Sequence, residues 1–359
     1  HKSFKTCYDG KSNQWRLKKY PITLGAYDFK QPFRSPFKAN GNKLCQSGFV
    51  KYFGVPISID MTVPVVITAG TNDNYGHVSI DVSNAQAWWS VATSQAVYDP
   101  KSRYSAKIIA TLREWAEKDA LSKNIIAPWG AVKFEVALVI NHLVETVGAL
   151  GPELTAAERS IIGPWLDKLV RKIGKSDWGG RQDNKQYLAD YIVALWGYIN
   201  NDDAPIYELA DNYKRAIHDM RNDGSIVYES LRGGSTLTYQ VHAVARLVKQ
   251  MALIKATTGV DLAYYRAENK RSIYTALEMS LLNFHDPLKQ AKIYAKNCPD
   301  GAMGSIDNPN LDGGKYYLKP VLEFGAKSYI DYAEKMKPNQ IRGSSIYTSV
   351  GNIQCIYTE

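Results

Sequence analysis

Arg232 and Tyr239 stand seven residues apart in the stretch YESLRGGSTLTYQVHAVARLV, residues 228–248. They put a guanidinium and a phenol at the start of a helix, a pairing that can move a proton beside an anion. Asp223-Gly224 makes a turn, Arg232 falls in the loop closed by Gly233 and Gly234, and Ser235 is a candidate N-cap. Tyr239 then lies in the first turns of the helix, with His242 three residues on along the same face. The positive helix end and Arg232 both favour negative charge nearby. They are also expected to lower the pKa of Tyr239, because a phenolate gains from each adjacent cation. Such a tyrosine can take a proton and return it. A second polar group, Asp183, Asn184 and Lys185, opens the apolar stretch NKQYLADYIVALWGYIN. Asp183 or Asn184 serves as an N-cap there in the plainest reading.

The elements that must carry these residues are helical. SNAQAWWSVATSQAVY, RYSAKIIATLREWAEKDAL, WGAVKFEVALVINHLVETVGAL, TAAERSIIGPWLDKLVRKIG and four further stretches to residue 284 repeat their apolar residues at helical spacing. Gly, Asn and Asp stops separate them. Several, such as YIVALWGYI, are apolar on more than one face and must be buried on both sides. The expected fold is mainly α, an incomplete α/α toroid of antiparallel helix hairpins with irregular, partly β extensions at both ends. The expected organisation is an N-terminal region over 1–80 packed on the toroid, the toroid over 81–297, and a C-terminal extension over 298–359 with one helix and a strand-like GNIQCIYTE.

Forty-four Lys and Arg against 35 Asp and Glu leave a formal charge of +9, which points to a polyanionic partner. No helix-turn-helix, RRM or zinc-finger spacing directs that charge to nucleic acid. No apolar run reaches the roughly 18–20 residues that span a bilayer, so membrane insertion is not expected. The opening residues HKSFKTCYDGKSNQ hold no apolar signal core. The four cysteines lie two near each end, and the expected bridges are Cys7–Cys45 and Cys298–Cys355, one of three possible connectivities. Bridges of that kind imply a periplasmic or secreted protein. No metal-ligand spacing stands out, and no cofactor is expected. Nothing in the sequence fixes the oligomeric state.

The order and spacing of these groups resemble the alginate lyase family of polysaccharide lyases. That family opens a helix with an Asn-His pair and, about fifty residues on, carries DG…ELxRG with a Tyr seven residues beyond the Arg. This chain reads DNKQYL at 183–188, then DGSIVYESLRGG and Tyr239. VYDPKS at 97–102 is similar to the family's KYEGSD, and ATTGVDL at 256–262 to the segment after its catalytic helix. The likeness spans roughly residues 95–265 and is specific over 183–262. It implies an incomplete α/α toroid, no cofactor and an anionic polysaccharide substrate. Asn184 and Arg232 match the carboxylate-neutralising pair and Tyr239 the catalytic Tyr. The family's His falls on Lys185, its His after the Tyr on Gln240, and the Lys of KYEGSD on Val97.

β-Elimination from a 4-linked uronate needs these residue types. Hydrogen bonds from Asn184 and Arg232 would stabilise the charge that develops on the C6 carboxylate. Tyr239 would take the C5 proton and protonate O4, and Lys185 would either help neutralise the carboxylate or act as the base. His242, Arg246, Arg181 and Gln240 are the candidate substrate contacts, and Trp178, beside two glycines, the candidate cleft wall. His77, His142, His218 and His285 read as structural. The alternatives are a glycoside hydrolase using Glu229 and Asp183, and a polysaccharide-binding protein without turnover.

Overall fold

A computed structural model describes residues 20–39, 41, 45, 58–66, 80–122, 131–176, 183–268, 270–294, 305–309 and 353–357. Its helices are of two kinds. Helices α1 (Ile80–Tyr98), α3 (Ala131–Leu150), α5 (Asn184–Ile199) and α7 (Thr236–Thr258) are buried on nearly every face, whereas α2 (Arg103–Glu117), α4 (Ala156–Lys175) and α6 (Ala204–Asp219) each carry a polar side. A helix without a polar side needs cover all round. Accordingly α1 packs on α3, α3 on α5 and α5 on α7 as an inner row. Outside it α2 packs on α4, α4 and α6 flank α5, and α6 and α8 (Ile273–His285) flank α7. This is the expected incomplete α/α toroid.

The inner helices run in parallel. Gln86 of α1 reaches Glu135 near the start of α3, and Thr93, two turns on, reaches the carbonyl of His142 and the hydroxyl of Thr146. Further along the row, Glu145 of α3, Tyr191 of α5 and Lys249 of α7 meet in the second half of α3 and of α7 and midway along α5. All four inner helices start at one end of the ring, because Asn184 at the start of α5 bonds Glu229 in the segment leading into α7, and Tyr239 near the start of α7 feels the charge of Glu135 near the start of α3. The other end is closed by the N-terminal extension: Phe33 packs edge-on against Trp196 at 5.8 Å, and Arg34 bonds the carbonyls of Tyr198 and Ile199. The site is left to the end where the inner helices begin.

Several expectations are corrected by these contacts. The described parts of the N-terminal extension hold no strand, and the C-terminal segment expected to be strand-like is helical over α10 (Ile353–Ile356). Cys45 pairs with Cys355, their Cα atoms 5.0 Å apart, in place of the expected Cys7–Cys45 and Cys298–Cys355 bridges. The two ends meet on the closed end of the ring, where Phe37 packs on Tyr357 at 5.5 Å, so fold proximity overrides nearness in sequence. Cys7 and Cys298 lie outside the described residues. Lys133–Glu153 is, by length and composition, apolar enough to cross a membrane, but 89% of that window is buried in the protein.

The inner row also encloses a charged cluster. Lys249 Nζ lies 3.0 Å from Glu145 Oε1, and Asn141 and Tyr191 donate to the same carboxylate. The hydroxyl of Tyr191 in turn meets that of Tyr357. Burial pushes the carboxyl of Glu145 up and pulls Lys249 down to about 8, so on both partners it outweighs their mutual attraction.

Candidate active site

The loop before α7 is shaped by glycines where only glycine fits well. Gly224 has φ +84°, and a Cβ there would stand 2.4 Å from the carbonyl oxygen of Thr275. Gly233 has φ +55°, a left-handed turn directly after Arg232. Together they fold 224–235 back along the start of α7. Ser235 stands at the N-cap position, but its side chain makes no capping bond. On α5 the expected cap is present: Asp183 accepts from the backbone N–H groups of Lys185 and Gln186 at 3.0 and 3.3 Å.

That geometry joins the two stretches singled out in the sequence. Glu229 Oε1 accepts from both the backbone N–H (2.8 Å) and the side-chain Nδ2 (2.7 Å) of Asn184. Its other oxygen accepts from Arg232 Nε at 3.1 Å, while Arg232 Nη2 lies 3.4 Å from Asp183. The Arg232 guanidinium sits 4.3 Å from the centroid of the Tyr239 ring. Asn184, Arg232 and Tyr239 thus share one site, and Lys185 is in the first turn beside Asn184, 8% exposed.

From Thr236 to Ile254, α7 is buried at every residue except Tyr239 and His242. Their rings lie 5.5 Å apart, so the phenol and the imidazole form one partly open face. Across the ring, Phe134 and Glu135 of α3 are partly open in the same way, and Gln86 donates to Glu135 at 2.5 Å. Neither Glu135 nor the role of Glu229 was legible in the sequence as part of the site. Glu135 lacks a motif and stands on another helix; Glu229 was visible only as a member of DG…ELxRG and as a carboxylate for the hydrolase alternative.

The electrostatics differ from the expectation in one respect. The Tyr239 phenol is held above its usual range, not below it. Burial is the main cause, and Glu229, Asp183 and Glu135 add to it against the opposing pull of Arg232. Glu229 is raised by burial, with Arg232 and Asn184 working the other way and Asp183 reinforcing it. His242 is brought down to about 3 by burial and by the charges of Arg246 and Arg232, so its imidazole is neutral over the working pH range.

Four candidate substrate-binding residues are reassigned or left aside. Gln240 is fully buried and points away from Tyr239: it accepts from the Ile226 N–H and the Tyr294 hydroxyl and donates to the Gly224 carbonyl, pinning the loop. One residue along a helix is a rotation of about 100°, which turns it off the site face. Arg246 is 2% exposed and acts within the wall, where its charge bears on Glu135 and His242. Trp178 and Arg181 lie outside the described residues, as does His77. Asp183 and Glu229, the pair a hydrolase would need, are both fully buried and grip the same guanidinium. They cannot face each other across a scissile bond with room for a sugar. An open groove of about 580 Å³ beside α2, lined by Lys101, Ser105, Arg113 and Glu158 among others, contains none of the site residues.

The family model for alginate lyase matches residues 57–289, which takes in the inner row and both site stretches. The chain belongs to the alginate lyase family. A curated polysaccharide lyase from Stenotrophomonas maltophilia (strain K279a) is 29% identical over 181 residues, 44% of this chain and 54% of that protein, so the chain spans about half the length of this relative. A variant of alginate lyase A1-III complexed with tetrasaccharide superposes with TM-score 0.65 at 17% identity, covering 93% of this chain and 99% of that one. An alginate lyase from Bacteroides ovatus gives 0.55 at 14% identity, covering 89% and 92%. At these identities the two structures establish the toroid.

Proposed function

We propose that the protein is a polysaccharide lyase that cleaves a 4-linked polyuronate by β-elimination, with an anionic polysaccharide as its substrate. The observation that carries this reading is the exposure pattern of α7: from Thr236 to Ile254 only Tyr239 and His242 open from the buried helix, and the Arg232 guanidinium lies against the Tyr239 ring. The N-terminal ends of the parallel inner helices point the same way, and their partial positive charge suits a carboxylated ring. Asn184 and Arg232 hold the C6 carboxylate and stabilise charge as it develops there. Lys185 adds a second positive charge to that group. The C5–H bond breaks with its proton passing to Tyr239, the C4–O4 bond breaks as C4=C5 forms, and the same hydroxyl protonates O4. The Cys45–Cys355 bridge supports an oxidising compartment, periplasmic or extracellular, as the place of work.

The test is incubation with polymannuronate, polyglucuronate and acidic capsule preparations while ultraviolet absorbance of the conjugated C4=C5 product is followed. Appearance of that absorbance with at least one polymer is the expected result. New reducing ends without it mean hydrolysis, and binding without either means a binding protein; both outcomes reject the proposal. Lys185→His carries a further expectation. If Lys185 stands in for the family His, the variant keeps turnover or shifts its preference among the polymers. Complete loss in a folded variant assigns Lys185 a charge role that an imidazole cannot fill.

A further inference from the structure

We propose that Glu229 is a positioning residue whose ionised carboxylate clamps Asn184 and Arg232 into one carboxylate-binding unit and thereby gates turnover with pH. This rests on the lyase reading above. Asn184 and Arg232 are 48 residues apart on different elements, yet one carboxylate accepts from both, through Oε1 for Asn184 and Oε2 for Arg232. Glu229 is fully buried and does not touch the cleft. It fixes the amide plane of Asn184 by a second bond to that residue's own backbone, and it holds the Nε edge of Arg232. An acceptor on both oxygens is what the ionised form supplies. Protonation turns one oxygen into a donor facing Arg232 Nε or Asn184 Nδ2, so one side of the clamp is released.

The groups facing Glu229 set where this occurs. Arg232 on its own segment and the amide of Asn184 on α5 favour the anion; Asp183 at the start of α5 disfavours it. Tyr187 on α5, Tyr239 on α7 and Tyr294 on α9 (Pro287–Tyr294) feel its charge and are neutral phenols near pH 7. Burial dominates and raises the carboxyl, which brings its titration closer to working pH. Activity and stability respond with opposite signs. Turnover that needs the clamp falls as pH drops through the raised pKa. The stability contribution of the same group is present below its unfolded pKa and is lost as pH rises through the folded one.

The experiment is the pH–rate profile of wild type and Glu229→Gln on whichever of polymannuronate or polyglucuronate the wild type cleaves, with circular dichroism as the folding check. Gln keeps an acceptor for Asn184 but turns a donor toward Arg232 Nε. We expect kcat to fall on the order of 10²-fold, the scale set by slight misplacement of a reacting group, with KM changed less than about fivefold. Below the pKa of Glu229 the wild-type log rate should rise with pH at a slope near two, one proton from the clamp and one from Tyr239, and the variant at a slope near one. An unchanged kcat overturns the proposal, and so does a fall in kcat with the wild-type slope retained, which a purely structural loss would give. If Glu229→Gln does not fold, Glu229→Asp replaces it: its carboxylate still titrates, so lower kcat with the steep limb kept but displaced in pH supports the clamp, and wild-type kcat or an undisplaced limb rejects it. If the wild type cleaves neither polymer, the lyase reading fails on its own. The clamp is then decided by melting temperatures of Asn184→Ala, Glu229→Gln and the double variant. Non-additive losses support it and additive ones reject it.

Discussion

Tyr239→Phe loses turnover by at least about 10³-fold while binding of the polymer stays within a few-fold. Removing one hydroxyl deletes both proton transfers, each the kind of step that general acid–base groups accelerate by roughly 10²–10⁴, and takes little from ground-state contact. The measurement is kcat from the C4=C5 absorbance, set beside a dissociation constant for an oligosaccharide too short to be cleaved. Retained turnover removes Tyr239 from the chemistry. The raised phenol adds a pH expectation. In the proposed elimination the form that accepts the C5 proton is the phenolate, and burial with the three carboxylates Glu229, Asp183 and Glu135 makes it scarce at neutral pH. The wild-type rate therefore climbs about tenfold per pH unit on the approach to the Tyr239 pKa, and optimum activity lies on the alkaline side of neutral.

Lys249→Met destabilises the protein by about 3–5 kcal/mol, the usual consequence of leaving a buried charge without its partner. Glu145 is fully enclosed, and its neighbours Asn141 and Tyr191 supply hydrogen bonds but no opposite charge. The double variant Glu145→Leu/Lys249→Met should recover a large part of the loss, since an apolar pair of similar volume removes both charges at once. Recovery stays incomplete because Asn141 and Tyr191 lose an acceptor. Urea or thermal unfolding of the three variants measures this directly. A single variant as stable as wild type would mean that the cluster relaxes or admits water. The depressed Lys249 sets the pH trend. Between about pH 8 and the ordinary lysine range the unfolded chain binds the extra proton, so this group's contribution to stability rises with pH there.

Much of the fold was legible because the two kinds of helix differ in the primary structure itself. YIVALWGYI has no side that water would tolerate, whereas the RYSAKIIATLREWAE stretch has one apolar stripe, and their alternation is what an inner and an outer layer require. The Asp183 cap and the step from Arg232 to Tyr239 were legible for similar local reasons. The partners of Glu229 were not, because a buried carboxylate reads as an ordinary charged residue until the element 45 residues away is brought beside it. The phenol was misjudged chiefly because its burial exists only in the fold, and also because Arg232 is near in sequence while Asp183 and Glu135 come from α5 and α3. Gln240 was placed in the site by family position, although its angle on the helix already turned it away. GNIQCIYTE alternates over too few residues to tell a strand from a short helix.

The bridge between Cys45 and Cys355 has a bearing on how the chain is made. The ribosome delivers Cys45 some 310 residues before its partner. Within this sequence the cysteines that precede Cys298 are Cys7 and Cys45. A bond that forms between them early must be undone by thiolate exchange before the native one can close. If the chain folds in an oxidising compartment, as proposed, the Cys45–Cys355 bridge calls for a disulfide isomerase, or for oxidation held back until Cys355 has been made.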